Sequence, residues 1–101
     1  MNIEEKSALL VIDIQQEDFK DMNENNFDAP EWACIRNARR VIDVFRAKGL
    51  PVVQIKEVHR PDMVDFGREL DGSESVHCIE TSPDTDYAAL TYPAAGDYLI
   101  S

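Results

Sequence analysis

The chain opens with an apolar run that ends at a carboxylate. Residues 8–12 are all apolar, Asp13 follows them, and Ile14 is apolar again. A short apolar run without turn residues is typical of a strand buried on both faces, as strands are in parallel sheets. The pattern therefore predicts a strand over about 8–14. Because a lone buried charge is costly, we expect Asp13 to be paired, hydrogen-bonded or protonated.

A helix is predicted after an Asn-rich loop. Asp28 with Glu31 fits a capping box, and Pro30 fits a first-turn position. Gly49 suits the residue that follows a helix, and Pro51 prevents the helix from continuing. Between these signals, apolar side chains recur at helical spacing and form one stripe, which consists of Trp32, Ile35, Ala38, Ile42 and Phe45.

A second strand is predicted over residues 51–59, which are rich in β-branched side chains. Strand, helix and strand make a βαβ unit, in which the strands are parallel and the crossover is right-handed. The carboxyl ends of both strands then meet at one edge of the sheet, where ligands bind in open α/β sheets. We therefore expect Asp13, Glu57 and His59 to lie at the same edge.

The rest of the chain leaves the predicted sheet incompletely covered. Residues 60–96 form a long irregular stretch, and loops of this length are usually functional or disordered. Residues 97–100 predict the start of a third strand. One clear helix for about three strands leaves a sheet face without a covering layer. Such a face, and the edge of the last strand, favour oligomerisation or pairing with another chain.

Composition narrows the function classes. The chain has 101 residues, with 10 Lys and Arg against 20 Asp and Glu, and its net charge is −10. This charge argues against nucleic acid and anionic membranes as partners, because both bind basic surfaces. There is no apolar run of the roughly 18 residues that a membrane span needs and no basic leader segment. Two cysteines, Cys34 and Cys78, then predict reduced thiols in a cytoplasmic protein, with Cys34 as a core-packing residue.

Five segments in order resemble the isochorismatase-like cysteine hydrolases, a family that includes nicotinamidases, N-carbamoylsarcosine amidohydrolase and ureido-type amidohydrolases. The segments are ALLVIDIQQEDF (8–19), the helix–Gly–strand segment 37–62, DFGREL (65–70), VHCIE (76–80) and PAAGDYLI (93–100). The resemblance implies a three-layer α/β/α domain with a mostly parallel, doubly wound sheet. It also implies that residues 1–101 form the N-terminal half of a single domain of this kind.

The resemblance implies a catalytic role for Asp13. The family uses an Asp, a Lys and a Cys to cleave a small amide or ureido C–N bond through a thioester, and Asp13 matches the Asp that accepts and returns the proton. The Lys and the Cys have no counterpart in this sequence. We therefore expect the 101-residue chain to be inactive alone and to need a complementing C-terminal half. The alternative is a non-catalytic half-domain or interaction module that pairs through its terminal strand.

A second group of residues matches the metal ligands of the nicotinamidases. Glu57, His59, Asp65 and His77 fall at or near those positions, and two imidazoles with carboxylates suit Zn, Mn or Fe(II). The alternative is a hydrogen-bonded loop network without metal. The sequence of residues 59–70 is more similar to that of the metal-free amidohydrolases, for which no cofactor is required.

Four further residues are candidates for binding the substrate. Phe19 is expected to line a pocket after the first strand, whereas Trp32 is expected to pack in the core. Gln15 either orients the substrate or caps the loop. Arg60 and Arg68 either bind a substrate carboxylate, as a bidentate guanidinium can, or form surface ion pairs.

Overall fold

A parallel three-stranded sheet with helices forms the described part of the protein, which in the computed structural model is residues 3–62 and 77–101. Its strands are β1 (Leu9–Ile12), β2 (Val52–Ile55) and β3 (Tyr98–Ile100), and its α-helices are α1 (Gln16–Phe19) and α2 (Ala33–Ala47). Short 3-10 turns cover Pro30–Trp32 and Pro83–Thr85. The strand order is β1-β2-β3 with both pairings parallel, which confirms the predicted α/β class. None of these described helices is long and apolar enough to cross a membrane.

The core lies between α2 and one face of the sheet. Val11 of β1, Val52 of β2, and Ile42 and Phe45 of α2 form one buried cluster. Ile42 has no exposed surface. Burial of one such aliphatic side chain stabilises the fold by about 1.5–3 kcal/mol, so this cluster fixes the helix on the sheet.

The opposite face of the sheet is open in the described residues. Side chains alternate between the two faces along a strand, so Leu10 and Ile12 lie on the face opposite Val11. They are 56% and 55% exposed. The expectation that β1 is buried on both faces is therefore wrong for this chain. The apolar run indicates a strand correctly, but it cannot show whether the second covering layer is present.

Helix α2 begins without the predicted capping box. Asp28 is exposed, and neither Ala29 nor Trp32, which precede the 3-10 turn and α2, makes a side-chain cap hydrogen bond. The backbone instead tightens into the 3-10 turn, in which the Trp32 N–H donates to the Ala29 carbonyl (3.0 Å). Arg36 then donates to the carbonyls of Phe27 (2.7 Å) and Ala29 (2.8 Å). The Arg36 side chain therefore holds the loop that precedes the helix in place.

Helix α2 ends as predicted at Gly49, whose φ of +71° is in the left-handed region. The Gly49 N–H donates to the Arg46 carbonyl (3.0 Å), and the Leu50 N–H donates to the Phe45 carbonyl (2.9 Å). This pair of bonds is a Schellman motif, and Leu50 also packs against the core cluster that contains Phe45. The turn satisfies the last carbonyls of α2 and directs the chain into β2.

A second cluster packs at the N-terminal end of α2. Trp32, Ile35 and Ala88 are buried there, so the expectation that Trp32 is a core residue is confirmed. Phe19 packs on it, with the two ring centroids 6.0 Å apart. Cys34 is exposed, and the expectation that it packs in the core is wrong. It lies next to Ile35 in sequence, and one step along a helix turns a side chain about 100° away from the buried stripe.

Candidate active site at the carboxyl edge of the sheet

Asp13 follows β1 directly, at the carboxyl edge of the sheet. Its backbone N–H donates to the Ile55 carbonyl (2.9 Å), which extends the β1–β2 ladder by one hydrogen bond. Its φ of +61° is left-handed, a conformation that Asp and Asn adopt more readily than other non-glycine residues. The side chain is exposed and has no hydrogen-bond or ion-pair partner among residues 3–62 and 77–101. Of the three expected states of Asp13, the paired and the hydrogen-bonded carboxylate are therefore not found among these residues.

The electrostatic surroundings of Asp13 favour its protonated form. Partial desolvation raises the pKa of Asp13 above its usual value, and the negative charge of Glu57 raises it further. Asp13 is thus a better proton acceptor than an ordinary surface aspartate. The parallel β1–β2 register places both residues just beyond the carboxyl ends of their strands, at the same edge of the sheet, as the βαβ topology predicts.

Glu57 lies between two imidazole rings. Its Oε1 is 2.7 Å from His59 Nε2 and 3.2 Å from His77 Nε2. The two rings meet edge to face, with centroids 5.3 Å apart. Desolvation, the largest contribution, raises the pKa of Glu57, but the hydrogen bonds from both imidazoles and their charge lower it by more in total. The carboxylate of Glu57 is therefore ionised and held in place by both histidines.

The backbone brings His77 to this position by adding a short segment beside the chain that follows β2. His59 and Ile79 form an isolated parallel bridge. The His59 N–H donates to the Cys78 carbonyl (2.7 Å), and the Glu80 N–H donates to the His59 carbonyl (2.8 Å). These bonds fix residues 77–80 against the Glu57–His59 segment, although the two segments are far apart in sequence.

The three side chains form a donor set that fits a divalent metal ion. The ligand atoms of Glu57, His59 and His77 all lie within 4.8 Å of one another. Two imidazole nitrogens and one carboxylate oxygen are the protein ligands of many catalytic zinc sites with an open fourth position, and they also suit Mn and Fe(II). Asp65, the fourth predicted ligand, lies outside the described residues. Without an ion, the same atoms form a hydrogen-bonded network, which is the alternative to a metal site.

Gln15 is buried at the centre of this edge, with 2% of its surface exposed. Its Nε2 donates to the Glu57 carbonyl (2.9 Å) and to the Thr85 carbonyl (2.6 Å). Its Oε1 accepts from the Glu57 N–H (2.8 Å). Protein groups thus bond to both the nitrogen and the oxygen of the Gln15 amide. This geometry does not support direct contact between Gln15 and a substrate.

Of the remaining substrate-binding candidates, Phe19 and Arg60 fall within the described residues. Phe19 is half-buried against Trp32, so part of its ring contributes to packing. Arg60 is exposed and forms an ion pair with Asp62 (2.8 Å), in line with the surface-pair alternative. Arg68 lies outside the described residues. Contact of Phe19, Arg60 or Arg68 with a substrate stays a prediction.

Cys78 is buried directly beside the His77 position and is held with a left-handed φ of +50°. Desolvation raises the pKa of its thiol to about 11, with further contributions from acidic groups, of which Glu57 is the largest. A thiol acts as a nucleophile only as the thiolate. The Cys78 thiol stays protonated at neutral pH and is unsuited to that role.

Sequence reasoning missed the structural importance of Gln15 and Thr85. Thr85 is buried, its hydroxyl donates to the Ile79 carbonyl, and its own carbonyl accepts from Gln15. The polar Gln15 so close to an apolar strand was a usable signal, because a buried amide requires partners. Nothing in the local sequence indicates the role of Thr85, which depends on contacts with distant segments.

A comparison with protein families decides the relationship. The model of the isochorismatase domain matches residues 7–101. The chain belongs to the isochorismatase family. No match is found among curated proteins. Among solved structures, this isochorismatase-family chain is similar to N-carbamoylsarcosine amidase from Thermoplasma acidophilum, with 29% identity and a TM-score of 0.60 over 91% of this chain and 49% of that chain.

Two further structures share the fold of this isochorismatase-family chain. An isochorismatase family protein from Desulfovibrio vulgaris subsp. vulgaris str. Hildenborough has 22% identity and a TM-score of 0.65, over 91% of this chain and 50% of that chain. The pyrazinamidase of Pyrococcus horikoshii, solved in complex with zinc, has 24% identity and a TM-score of 0.63, over 93% of this chain and 50% of that chain. The chain therefore spans about half the length of the solved structures that it matches.

Proposed function

We propose that this chain supplies the proton-transfer carboxylate of a cysteine hydrolase that cleaves a small amide or ureido C–N bond. The observation that carries the proposal is Asp13, which is exposed at the carboxyl edge of a parallel sheet with its pKa raised. Ligands bind at this edge in open α/β sheets. The similarity to an N-carbamoylsarcosine amidase supports an amide or ureido substrate.

In the proposed reaction, Asp13 accepts the proton of a cysteine thiol while the sulfur forms a bond to the substrate carbonyl carbon. The C–N bond then breaks, and Asp13 returns the proton to the leaving nitrogen. Water hydrolyses the resulting thioester, which releases the acid and regenerates the thiol. A raised pKa suits Asp13 to both proton transfers, because a general acid–base group works best when its pKa lies near the ambient pH.

We propose that the lysine and the nucleophilic cysteine come from a complementary C-terminal half. The resemblance assigns these two residues to no position of residues 1–101. The burial and high pKa of Cys78 make it a poor substitute for the cysteine. In this view, residues 1–101 are the N-terminal half of a single domain, in agreement with the 49% coverage of the amidase structure.

Glu57, His59 and His77 would hold a divalent cation beside Asp13. A bound cation would supply positive charge that stabilises the negative charge developing on a substrate carbonyl oxygen during acyl transfer. The chain's own contribution is to bring the donor atoms together, since Glu57 Oε1 lies 2.7 Å from His59 Nε2 and 3.2 Å from His77 Nε2. A bound ion would displace the protons of these hydrogen bonds. The zinc-bound pyrazinamidase of similar fold supports this assignment.

The catalytic proposal is tested by ammonia or amine release from carboxamide and ureido substrates. The chain is assayed alone and together with a C-terminal half of an isochorismatase-family hydrolase that carries the lysine and cysteine. We expect no release by the chain alone, and release by the complemented complex that falls by about 10²–10⁴-fold with Asp13→Asn. Asp18→Asn, an exposed aspartate in α1, is the matched control. Activity of the chain alone, or full activity of the Asp13→Asn complex, would contradict the proposal.

A second candidate function, an interaction module, is favoured by the open face of the sheet. The strand register aligns two apolar rows across this face: Leu10–Val53–Tyr98 and Ile12–Ile55–Ile100. The four members in β1 and β3 are more than half exposed. Parallel sheets are normally covered on both faces, and the chain spans half of the structures that it matches. We therefore propose the complementary C-terminal half as the partner that covers this face.

Sedimentation of the chain with such a C-terminal half tests the interaction. We expect a complex with the unmodified chain and none with the double variant Leu10→Lys and Ile100→Lys. Phe27→Lys changes an exposed aromatic residue in the loop before α2 and should leave the complex intact. Self-association of the chain that is abolished by the double variant would instead identify a second copy as the partner.

A further inference from the structure

The side chain of Gln15 replaces a backbone hydrogen-bonding partner at the end of the sheet. The β1–β2 ladder ends where the Asp13 N–H donates to the Ile55 carbonyl. Beyond that point, the N–H and C=O of Glu57 both bond to the amide of Gln15, at 2.8 Å and 2.9 Å. This reciprocal pair of bonds has the form of a rung between two strands, with a side chain in place of one backbone.

The same amide also ties in a third segment. Its second N–H donates to the Thr85 carbonyl at 2.6 Å, and its Nε2 lies 3.7 Å from Cys78 Sγ. The backbone around Gln15 pairs with this segment as well, because Gln15 and Tyr87 form an antiparallel bridge. One buried side chain therefore joins the end of β1, the chain after β2 and the segment that carries His77.

Glu57 is the residue whose position matters most for this site. Its carboxylate contacts His59 and His77, and its charge acts on Asp13. The side-chain contacts of Glu57 in the described residues are with the two histidines, so they do not fix it relative to β1. The Gln15 amide fixes Glu57 relative to β1, because it hydrogen-bonds to both the N–H and the C=O of Glu57 and belongs to a residue two positions after Asp13.

We propose that Gln15 is a positioning residue that sets the Glu57–His59–His77 cluster relative to Asp13. Gln15 acts through the Glu57 backbone and touches no substrate. The inference rests on the proposed function for its catalytic consequence only. The positioning itself concerns the structure of the chain and can be measured without any enzyme assay.

The first measurement uses the unmodified chain, with neighbouring Gln16 as an internal control. Gln16 begins α1, is half-buried, and has no side-chain hydrogen bond among residues 3–62 and 77–101. By NMR, both side-chain amide protons of Gln15 should exchange with solvent at least about tenfold more slowly than those of Gln16, because hydrogen bonds in a buried site must open first. Equal exchange rates would overturn the proposal.

The second measurement compares Gln15→Leu, which keeps the volume and removes the hydrogen bonds, with Gln16→Leu. In Gln15→Leu, the Glu57 N–H should exchange about tenfold faster, and the amide chemical shifts of Glu57, His59 and His77 should move, because the segment that carries them is released from the end of β1. The NOE between Phe19 and Trp32 should persist and serves as the control for the fold. Gln16→Leu should change none of these signals.

The outcomes separate positioning from simple packing. Unchanged amide exchange and chemical shifts of Glu57, His59 and His77 in Gln15→Leu would show that the side chain only fills space. Loss of the Phe19–Trp32 NOE in Gln15→Leu would show that Gln15 is a general core residue, which also contradicts the proposal. If the complemented enzyme fails to hydrolyse amide or ureido substrates, the proposed function falls, and these NMR results still decide the role of Gln15.

Discussion

Arg46 of α2 forms an ion pair with Asp97, the residue that precedes β3, with its Nη2 2.6 Å from Oδ2 and its Nε 3.3 Å from Oδ1. The Asp97 side chain is only 4% exposed, and its Oδ2 also accepts from the Ala94 N–H (3.0 Å). The pair therefore joins the helix layer to the last strand. It adds a side-chain link to the β2–β3 pairing, in a strand whose three residues are all exposed.

Asp97→Asn should destabilise the fold by about 1–3 kcal/mol, because Arg46 loses a charged partner in a largely buried site. Desolvation raises the pKa of Asp97, but the hydrogen bonds and charge of its partners lower it by more in total. A lowered folded pKa gives stability that is complete above the unfolded value, near pH 4, and is lost as the pH falls through the lower folded value. Urea unfolding at pH 7 and pH 3 should show a smaller effect of the substitution at pH 3.

The exposed pair Arg39–Asp43, 2.9 Å apart on the same helix, is the control for this prediction. Its two side chains are 44% and 54% exposed, and solvent-exposed pairs contribute little to stability. Asp43→Asn should therefore leave the free energy of unfolding nearly unchanged. An equal loss of stability in Asp43→Asn and Asp97→Asn would show that burial does not distinguish the two pairs.

Gly49→Ala should cost about 1–2 kcal/mol of folding stability. A Cβ at this position would meet no atom within 4 Å, so the cost comes from the left-handed backbone and not from a clash. Gly49→Asn should cost less, since Asn tolerates the left-handed region. Thermal unfolding of the three proteins should rank them Gly, Asn, Ala in order of falling midpoint. Equal midpoints for Ala and Asn would contradict the conformational explanation.

Glu57→Gln should weaken zinc binding at least about tenfold, because the ion loses the charged ligand of the cluster. Titration calorimetry of the chain with zinc chloride measures the change. Glu80→Gln alters an exposed glutamate on the segment that carries His77 and should leave the affinity unchanged. Absence of zinc binding by the unmodified chain would instead support the hydrogen-bonded network without metal.

Cys34 should be alkylated by iodoacetamide long before Cys78. Cys34 is exposed, whereas Cys78 is buried and has a pKa of about 11, so about one thiol in a thousand is ionised at pH 8. Peptide mass spectrometry after timed alkylation gives both rates. In urea the two cysteines should react at similar rates. Equal rates in the native protein would contradict the described environment of Cys78.

Local and periodic signals predicted most of the fold. The apolar run before Asp13, the helical stripe and the glycine after it each depend on residues close in sequence, and the corresponding elements are present. The burial of β1 could not be predicted, because an apolar strand has the same sequence whether or not a second layer covers it. At the start of the helical segment, Pro30 takes the predicted first-turn position. The capping box was mispredicted, because a tight 3-10 turn competes with it for the same backbone groups.

The site was predictable where topology or resemblance applied. The sheet-edge rule brought Asp13 and Glu57 together, and resemblance added His77. The position of Gln15 indicated that its amide needs partners, but not which partners, since the amide bonds to residues 42 and 70 positions away in sequence. Such contacts are a property of the folded chain, and no local pattern encodes them.

The left-handed backbone at Asp13 also restricts which amino acid can occupy the position. Glycine, asparagine and aspartate are the residues most often found in that conformation, and glutamate is not among them. In the proposed reaction, the proton passes to and from a carboxylate, which of these three only aspartate provides. The backbone conformation and the proposed chemistry therefore have a single amino acid in common. A library randomised at position 13 should favour glycine, asparagine and aspartate for folding and, once complemented with a C-terminal half, aspartate for hydrolysis.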